Sequence, residues 1–154
     1  MIVTASLDNE LMLLKHADVD RQQLFREINQ ILTARDMVLP SYLDALIARE
    51  DNNPTAMQLE NMGVAIPHVD IEHIKEEKLV VVTCPEGMEF KQAEDPDLTM
   101  KVHVIFFLLL KEKDAHIEFL MKLIGLFRQT DKMNLILQSD SKQEVKEILL
   151  ASLQ

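Results

Sequence analysis

Five histidines, His16, His68, His73, His103 and His116, are the residues of this chain best suited to covalent chemistry at neutral pH. Imidazole titrates at about pH 6.5 and is largely an unprotonated nucleophile at the pH of a cell interior. No Gly-rich phosphate loop, no pair of cysteines and no Gly-x-Ser-x-Gly elbow is present, which removes the common nucleotide-binding and hydrolase signatures. Two histidines hold a metal most readily when three or four residues apart on one helix. His68 and His73 are five apart and the others are isolated, so neither a metal site nor a cofactor is expected. For His16, His73 and His103 the plain reading is an ordinary surface or core side chain.

His68 differs in its setting, Gly63-Val-Ala-Ile-Pro-His68. Pro67 fixes its own φ, has no N–H, and pushes Ile66 into an extended conformation. A short buried strand must therefore stop at the proline and project the next side chain at its edge on a rigid stem. A strand-end histidine facing water is the competing reading.

The elements that must position this residue follow from hydropathy periods. Leu24, Phe25, Ile28, Ile31 and Leu32 recur at helical spacing behind Asp18 and Asp20, which predicts a helix over about 19–34. Pro40 and Ser41 open a second, with Leu43, Leu46 and Ile47 on one face, and Arg49-Glu-Asp-Asn-Asn-Pro54 reads as a polar loop leaving it. The first ten residues read as a strand or arm. Short extended segments are expected at 57–60 and 63–66, a buried strand at 79–84, a turn at Pro85-Glu86-Gly87, and a half-solvated strand where Met88 and Phe90 alternate with Glu89 and Lys91. Val102 to Leu110 supplies a central strand. The last forty residues read as helical, with Ile117, Leu120, Met121, Ile124 and Phe127 forming an apolar stripe and with Thr130 and Ser141 opening two further helices. Ser141-Lys-Gln-Glu144 is a capping box. The fold class expected is α/β of the α+β-like kind, a single domain over 1–154 with one mixed sheet of about five strands and helices on both faces.

Composition narrows the partners. Sixteen Lys and Arg against 26 Asp and Glu give a net charge of −10, which repels phosphate backbones and anionic lipid, so neither nucleic acid nor a membrane surface is expected. The seven apolar residues from Val104 to Leu110 fall far short of the roughly 18 that span a bilayer, so no direct membrane insertion is expected. With Cys84 as the lone cysteine and no signal-peptide pattern in the first ten residues, a cytoplasmic protein is expected.

Taken together, Ala45-Leu-Ile-Ala-Arg-Glu50, Pro54-Thr55, Leu59-Glu60 and Val64-Ala-Ile-Pro-His68 resemble, in order and spacing, the EIIA domains of the bacterial sugar phosphotransferase system, in the fructose/mannitol superfamily. The Arg-Glu-x3-Pro-Thr-x3-Leu-Glu arrangement, His73 and Phe90-Lys-Gln-Ala-Glu-Asp look nearest to galactitol-specific EIIA. The resemblance spans roughly 18–150. Two positions depart from it: Asn61 stands where many relatives have the first Gly of a Gly-x-Gly turn, and Val69 replaces a small residue after the histidine. Asn61 is expected to keep the turn by adopting left-handed φ, and Val69 to narrow access to His68.

The resemblance implies a phosphotransferase whose His68 accepts a phosphoryl group from phospho-HPr and passes it to a cysteine of the cognate EIIB, while the membrane component EIIC carries the sugar. Arg49 offers a planar donor fork for phosphoryl oxygens, and Thr55 a hydroxyl for the same oxygens or for the ring nitrogen that does not react. His116 resembles the second active-site histidine of the mannitol and fructose branches. Glu50, Asp51, Asp70 and Glu72 are the expected carboxylate rim for a basic partner. The alternative is a regulatory, nitrogen-type EIIA in which phosphorylation of His68 controls binding to another protein.

Overall fold

A computed structural model describes residues 6–16 and 20–153, with the backbone alone for 113–116. Among these residues a five-stranded sheet has the order β1-β4-β5-β3-β2. The strands are β1 (Met12–Leu13), β2 (Met57–Gln58), β3 (Gly63–Ala65), β4 (Lys78–Lys91) and β5 (Thr99–Leu109). β4 and β5 are antiparallel, β1 and β3 run parallel to them at either side, and β2 closes the edge as an antiparallel partner of β3. Two helices, α1 (Arg21–Ala34) and α2 (Tyr42–Asn52), precede β2; three, α3 (Lys113–Phe127), α4 (Thr130–Gln138) and α5 (Lys142–Leu153), follow β5.

The pleat explains why the two long strands read as continuous apolar runs. Val80, Val82, Ile105 and Phe107 point into a core shared with Leu24, Phe25, Leu32 and Leu46 of the first helix pair. Their neighbours Val81, Val104, Phe106 and Leu108 point into a second core with Leu123, Leu126, Ile136 and Leu149 of the last three helices. A strand covered on both faces has no solvated side to alternate with. Edge-to-face contacts of Phe25 with Phe107 (5.6 Å) and Phe90 (6.2 Å) tie α1 to the sheet.

The mixed sheet with helices on both faces is as expected, while several local expectations are corrected. Residues 1–5 lie outside the described ones; Asn9–Leu11 form a 3-10 turn, and a strand starts only at Met12. Asp20 caps α1 by accepting from the Gln23 N–H at 2.8 Å, and Ser141 takes one half of its capping box from the Glu144 N–H at 3.1 Å. Neither Ser41 nor Thr130 caps a helix with its side chain: the Ser41 hydroxyl bonds His73 Nδ1 at 2.7 Å, and Thr130, the first residue of α4, donates to Glu60. The polar stretch from Arg49 is not a loop, because α2 continues to Asn52 and buries Glu50. On α3 the buried side chains are Phe119, Leu123, Leu126 and Phe127, whereas Ile117 and Met121 are each 68% exposed. Both sets recur at helical spacing, so the period alone does not say which face is covered.

Pro85-Glu86-Gly87 does not reverse the chain. β4 runs straight through as a bulge: Thr83 pairs with Val104 and Met88 with Val102, leaving Cys84 to Gly87 opposite His103 alone. Gly87 absorbs the irregularity at φ 79. Opposite the bulge, His103 Nδ1 accepts the Gly63 N–H at 3.1 Å, which fixes the start of β3. Gly63 must be small, since a Cβ there would lie 2.0 Å from the Lys101 carbonyl oxygen. Asn61 does not use left-handed φ, which among described non-glycine residues is confined to Lys15 and Asp36. The β2–β3 turn closes instead through the Leu59 N–H on the Met62 carbonyl at 2.8 Å.

Burial, aided by the positive charge of Lys101, lowers the His103 pKa, so the fold favours the neutral ring. The unfolded chain then binds more protons once pH drops below about 6.5, and stability falls from there until the folded-state pKa is passed. Denaturant titrations across pH 8 to 5 are expected to show this loss in the wild type and a shallower slope in His103→Gln. Equal slopes would remove His103 from the pH dependence.

Candidate functional site

β3 ends at Ala65, and Ile66-Pro67 carry the chain to His68 at the edge of the sheet. There His68 forms a single parallel bridge with Leu108, whose N–H donates to the Pro67 carbonyl at 3.1 Å. The ring is half-buried, and the Val69 side chain after it is buried in the core under α1 and α2.

The partners of the two ring nitrogens assign the tautomer. Nδ1 lies 2.7 Å from the Ile66 carbonyl oxygen, which can only accept, so Nδ1 carries the proton and donates it. Nε2 lies 3.2 Å from Arg49 Nη2, and a guanidinium can only donate. Nε2 therefore carries the lone pair of the ring, and the Arg49 guanidinium donates to it. Arg49 comes from the last turn of α2, where its own carbonyl accepts the Asn53 N–H at 2.8 Å. Its Nη1 sits 3.9 Å from Asp70, and its buried Nε has no hydrogen-bond partner among the described residues.

Thr55 is brought close but its hydroxyl is engaged elsewhere. Oγ1 donates to Glu50 Oε1 at 3.0 Å and accepts from the Ile66 N–H at 3.0 Å, while the Thr55 N–H donates to Glu50 Oε2 at 2.8 Å. Glu50 itself is 1% exposed, so it cannot belong to a docking rim. Burial pushes its carboxyl above the ordinary range, opposed by the Thr55 bonds and the nearby Arg21 charge, with Asp51 reinforcing the rise. Sequence reading missed this role, although a signal existed: Tyr42, Leu46 and Glu50 are four residues apart and share the buried face of α2. Asp51 is held by Arg21 and Lys91, which leaves Asp70 and Glu72, with side chains 76% and 74% exposed, as outward carboxylates of this region.

His116 lies in the first turn of α3, and its side chain falls outside the described ones. His16 pairs with Glu27 at 3.0 Å and His73 with Ser41, so both are accounted for by local bonds. Among the described residues no group of three or more His, Cys, Asp or Glu is arranged to hold a metal, and no helix is long and apolar enough to cross a membrane.

Residues 5–152 match the family described as the phosphoenolpyruvate-dependent sugar phosphotransferase system, EIIA 2. The chain is 30% identical over 113 residues, 73% of its length and 75% of the relative's, to the galactitol-specific EIIA component of Escherichia coli (strain K12). In fold it is similar to nitrogen regulatory protein IIA-Ntr of Neisseria meningitidis, with a TM-score of 0.77 and 24% identity over 97% of this chain and 99% of that one. It is similar also to enzyme IIA mannitol of Escherichia coli, solved in complex with phosphorylated enzyme IIB mannitol, with a TM-score of 0.75 and 21% identity over 94% and 97%.

Proposed function

From the premise that the chain belongs to the EIIA 2 family and is a phosphocarrier of the sugar phosphotransferase system, we propose that Nε2 of His68 is the atom that carries the phosphoryl group. The observation that supports this assignment is the Nδ1–H bond to Ile66, which leaves Nε2 as a lone pair facing Arg49. The donor is phospho-HPr. The Nε2 lone pair attacks phosphorus as the P–N bond to the donor imidazole breaks, and the electron pair leaves with that ring. Positive charge arising on the His68 ring is shared with Nδ1–H and hence with the Ile66 carbonyl, while Arg49 offsets the phosphoryl oxygens. In the onward step an EIIB cysteine thiolate takes the phosphoryl group, the P–N bond breaks, and neutral imidazole returns. Because phosphorus moves between side chains, little beyond positioning and charge is required.

Two features of the surface support a protein partner at this end of the molecule. Asp70, next to Arg49, and Glu72, next to His73, present exposed carboxylates to a basic face. On α3, Ile117, Met121 and Ile124 form an exposed apolar row that begins one residue after His116. The 30% identity to a galactitol-specific component favours a polyol substrate for the membrane partner, and a phosphoryl relay that starts from phosphoenolpyruvate supports a cytoplasmic protein. The experiment that tests the reading is transfer from phosphoenolpyruvate through enzyme I and HPr to the protein and on to EIIB, with His68→Ala as control.

The resemblance gives His116 a tuning role on the phosphorylated state. His116→Ala is expected to remain phosphorylated by HPr and to pass the group to EIIB more slowly, measured by quenched-flow transfer in each direction. Unchanged rates both ways would make His116 an ordinary first-turn residue.

A further inference from the structure

We propose that Glu50 is a positioning residue for His68, acting through Thr55 and Ile66 to hold the ring in the tautomer with the proton on Nδ1 and the lone pair on Nε2. The inference rests on the assignment of His68 as phosphoryl acceptor.

The argument begins with Pro67. Having no N–H, it leaves Ile66 as the last backbone donor before His68. β3 has already ended at Ala65, and the Ile66 N–H bonds the Thr55 hydroxyl oxygen at 3.0 Å. The Ile66 carbonyl is what receives the His68 Nδ1 proton at 2.7 Å. The residue that sets the ring's tautomer is thus held at its N–H by a side chain, and that side chain must present a lone pair.

A hydroxyl has one proton and two lone pairs, so its direction depends on its other partner. Glu50 offers carboxylate oxygens to both Thr55 donors, Oε2 to the N–H at 2.8 Å and Oε1 to the hydroxyl at 3.0 Å. A carboxylate only accepts, which draws the hydroxyl proton toward Glu50 and leaves the lone pairs for Ile66. The same arrangement leaves Thr55 with no proton for a phosphoryl oxygen or for the His68 ring. Arg49 and Glu50, adjacent on the last turn of α2, therefore act on opposite sides of one imidazole: Arg49 directly on Nε2, Glu50 by relay on Nδ1. A helix end that controls both nitrogens fixes where the phosphoryl group goes.

Glu50→Gln keeps the shape and replaces one acceptor oxygen with an NH2 that faces a Thr55 donor. The test measures 15N shifts of the His68 ring in the unphosphorylated protein, together with kcat, KM for phospho-HPr, and the nitrogen that becomes phosphorylated. The wild type is expected to be almost wholly the Nδ1–H tautomer. Glu50→Gln is expected to show a mixture, a kcat about ten-fold lower with KM little changed, and some product on Nδ1. Thr55→Val should behave alike and serves if Glu50→Gln fails to fold, whereas Thr55→Ser, which retains the hydroxyl, should restore the wild-type tautomer. An unaltered tautomer ratio in Glu50→Gln and Thr55→Val would overturn the inference whatever the rates, since a merely structural residue lowers activity without moving it. Should the wild type take no label on His68, the acceptor assignment fails, and the ring shifts still decide whether Glu50 sets the tautomer.

Discussion

Incubated with phosphoenolpyruvate, enzyme I and HPr, the protein is expected to gain one phosphoryl group, and His68→Ala to gain none. The expectation of a single site comes from how the rings are engaged. His16 bonds Glu27, His73 bonds Ser41, and His103 accepts from Gly63 across β5 and β3. His68 alone among these presents a lone pair to a fixed guanidinium. The linkage should behave as a phosphoramidate, stable in alkali and lost in acid, which separates it from a serine or threonine ester. Intact-mass spectrometry checks the stoichiometry, and acid treatment checks the bond. An equal mass gain in wild type and His68→Ala would end the assignment. Uptake on His68 with no onward transfer to any EIIB would point to the regulatory role instead.

Arg49→Lys is expected to slow phosphoryl transfer by roughly ten-fold to a hundred-fold, at about 1.4 kcal/mol per factor of ten, with the melting temperature nearly unchanged. Phosphorylation adds about two negative charges to a protein already at −10. A cation at the site offsets a repulsion that the rest of the molecule increases. In the unphosphorylated state Arg49 Nη2 bonds Nε2, the nitrogen that acquires phosphorus, so the guanidinium must exchange that contact for phosphoryl oxygens. Its planar fork makes two parallel bonds, each charge-assisted bond contributing about 1.5 to 3 kcal/mol. Lysine supplies the charge without the fork. Folding is little affected because the guanidinium's ion pair with Asp70 is long and exposed, and such pairs contribute little. Wild-type rates in Arg49→Lys would leave Arg49 acting through bulk charge only, and a fall in melting temperature of many degrees would make it structural.

Much of the scaffold follows from local rules that need no knowledge of distant residues. The α1 period, the Asp20 and Ser141 caps and the long apolar runs of β4 and β5 were legible because each depends on neighbours within a few positions. Pro67 likewise dictates that a strand ends and a histidine follows. Other features were misread for a definite reason. Cys84 to Gly87 looks like a reversal, since Pro and Gly serve turns and bulges equally well, and only the pairing of Met88 with Val102 shows that the strand continues. α3 carries two apolar rows at helical spacing, and which one is buried depends on α4 and α5 packing against it.

The site divides along the same line. The sequence by itself determined that His68 stands on a rigid stem and that Arg49 and Thr55 lie in the segment before it, with a spacing that resembles a phosphocarrier family. It determined nothing about which ring nitrogen carries the proton. That was decided by tertiary structure, which folds the end of α2 against the end of β3, sets Arg49 on Nε2, and engages the Thr55 hydroxyl, expected to serve phosphoryl oxygens or the second ring nitrogen, as a link between Glu50 and Ile66. The physical reason is that a hydroxyl or an imidazole takes its donor and acceptor roles from the atoms it meets. Glu50 and Ile66, sixteen positions apart in the chain, meet Thr55 only after the sheet and helix have packed.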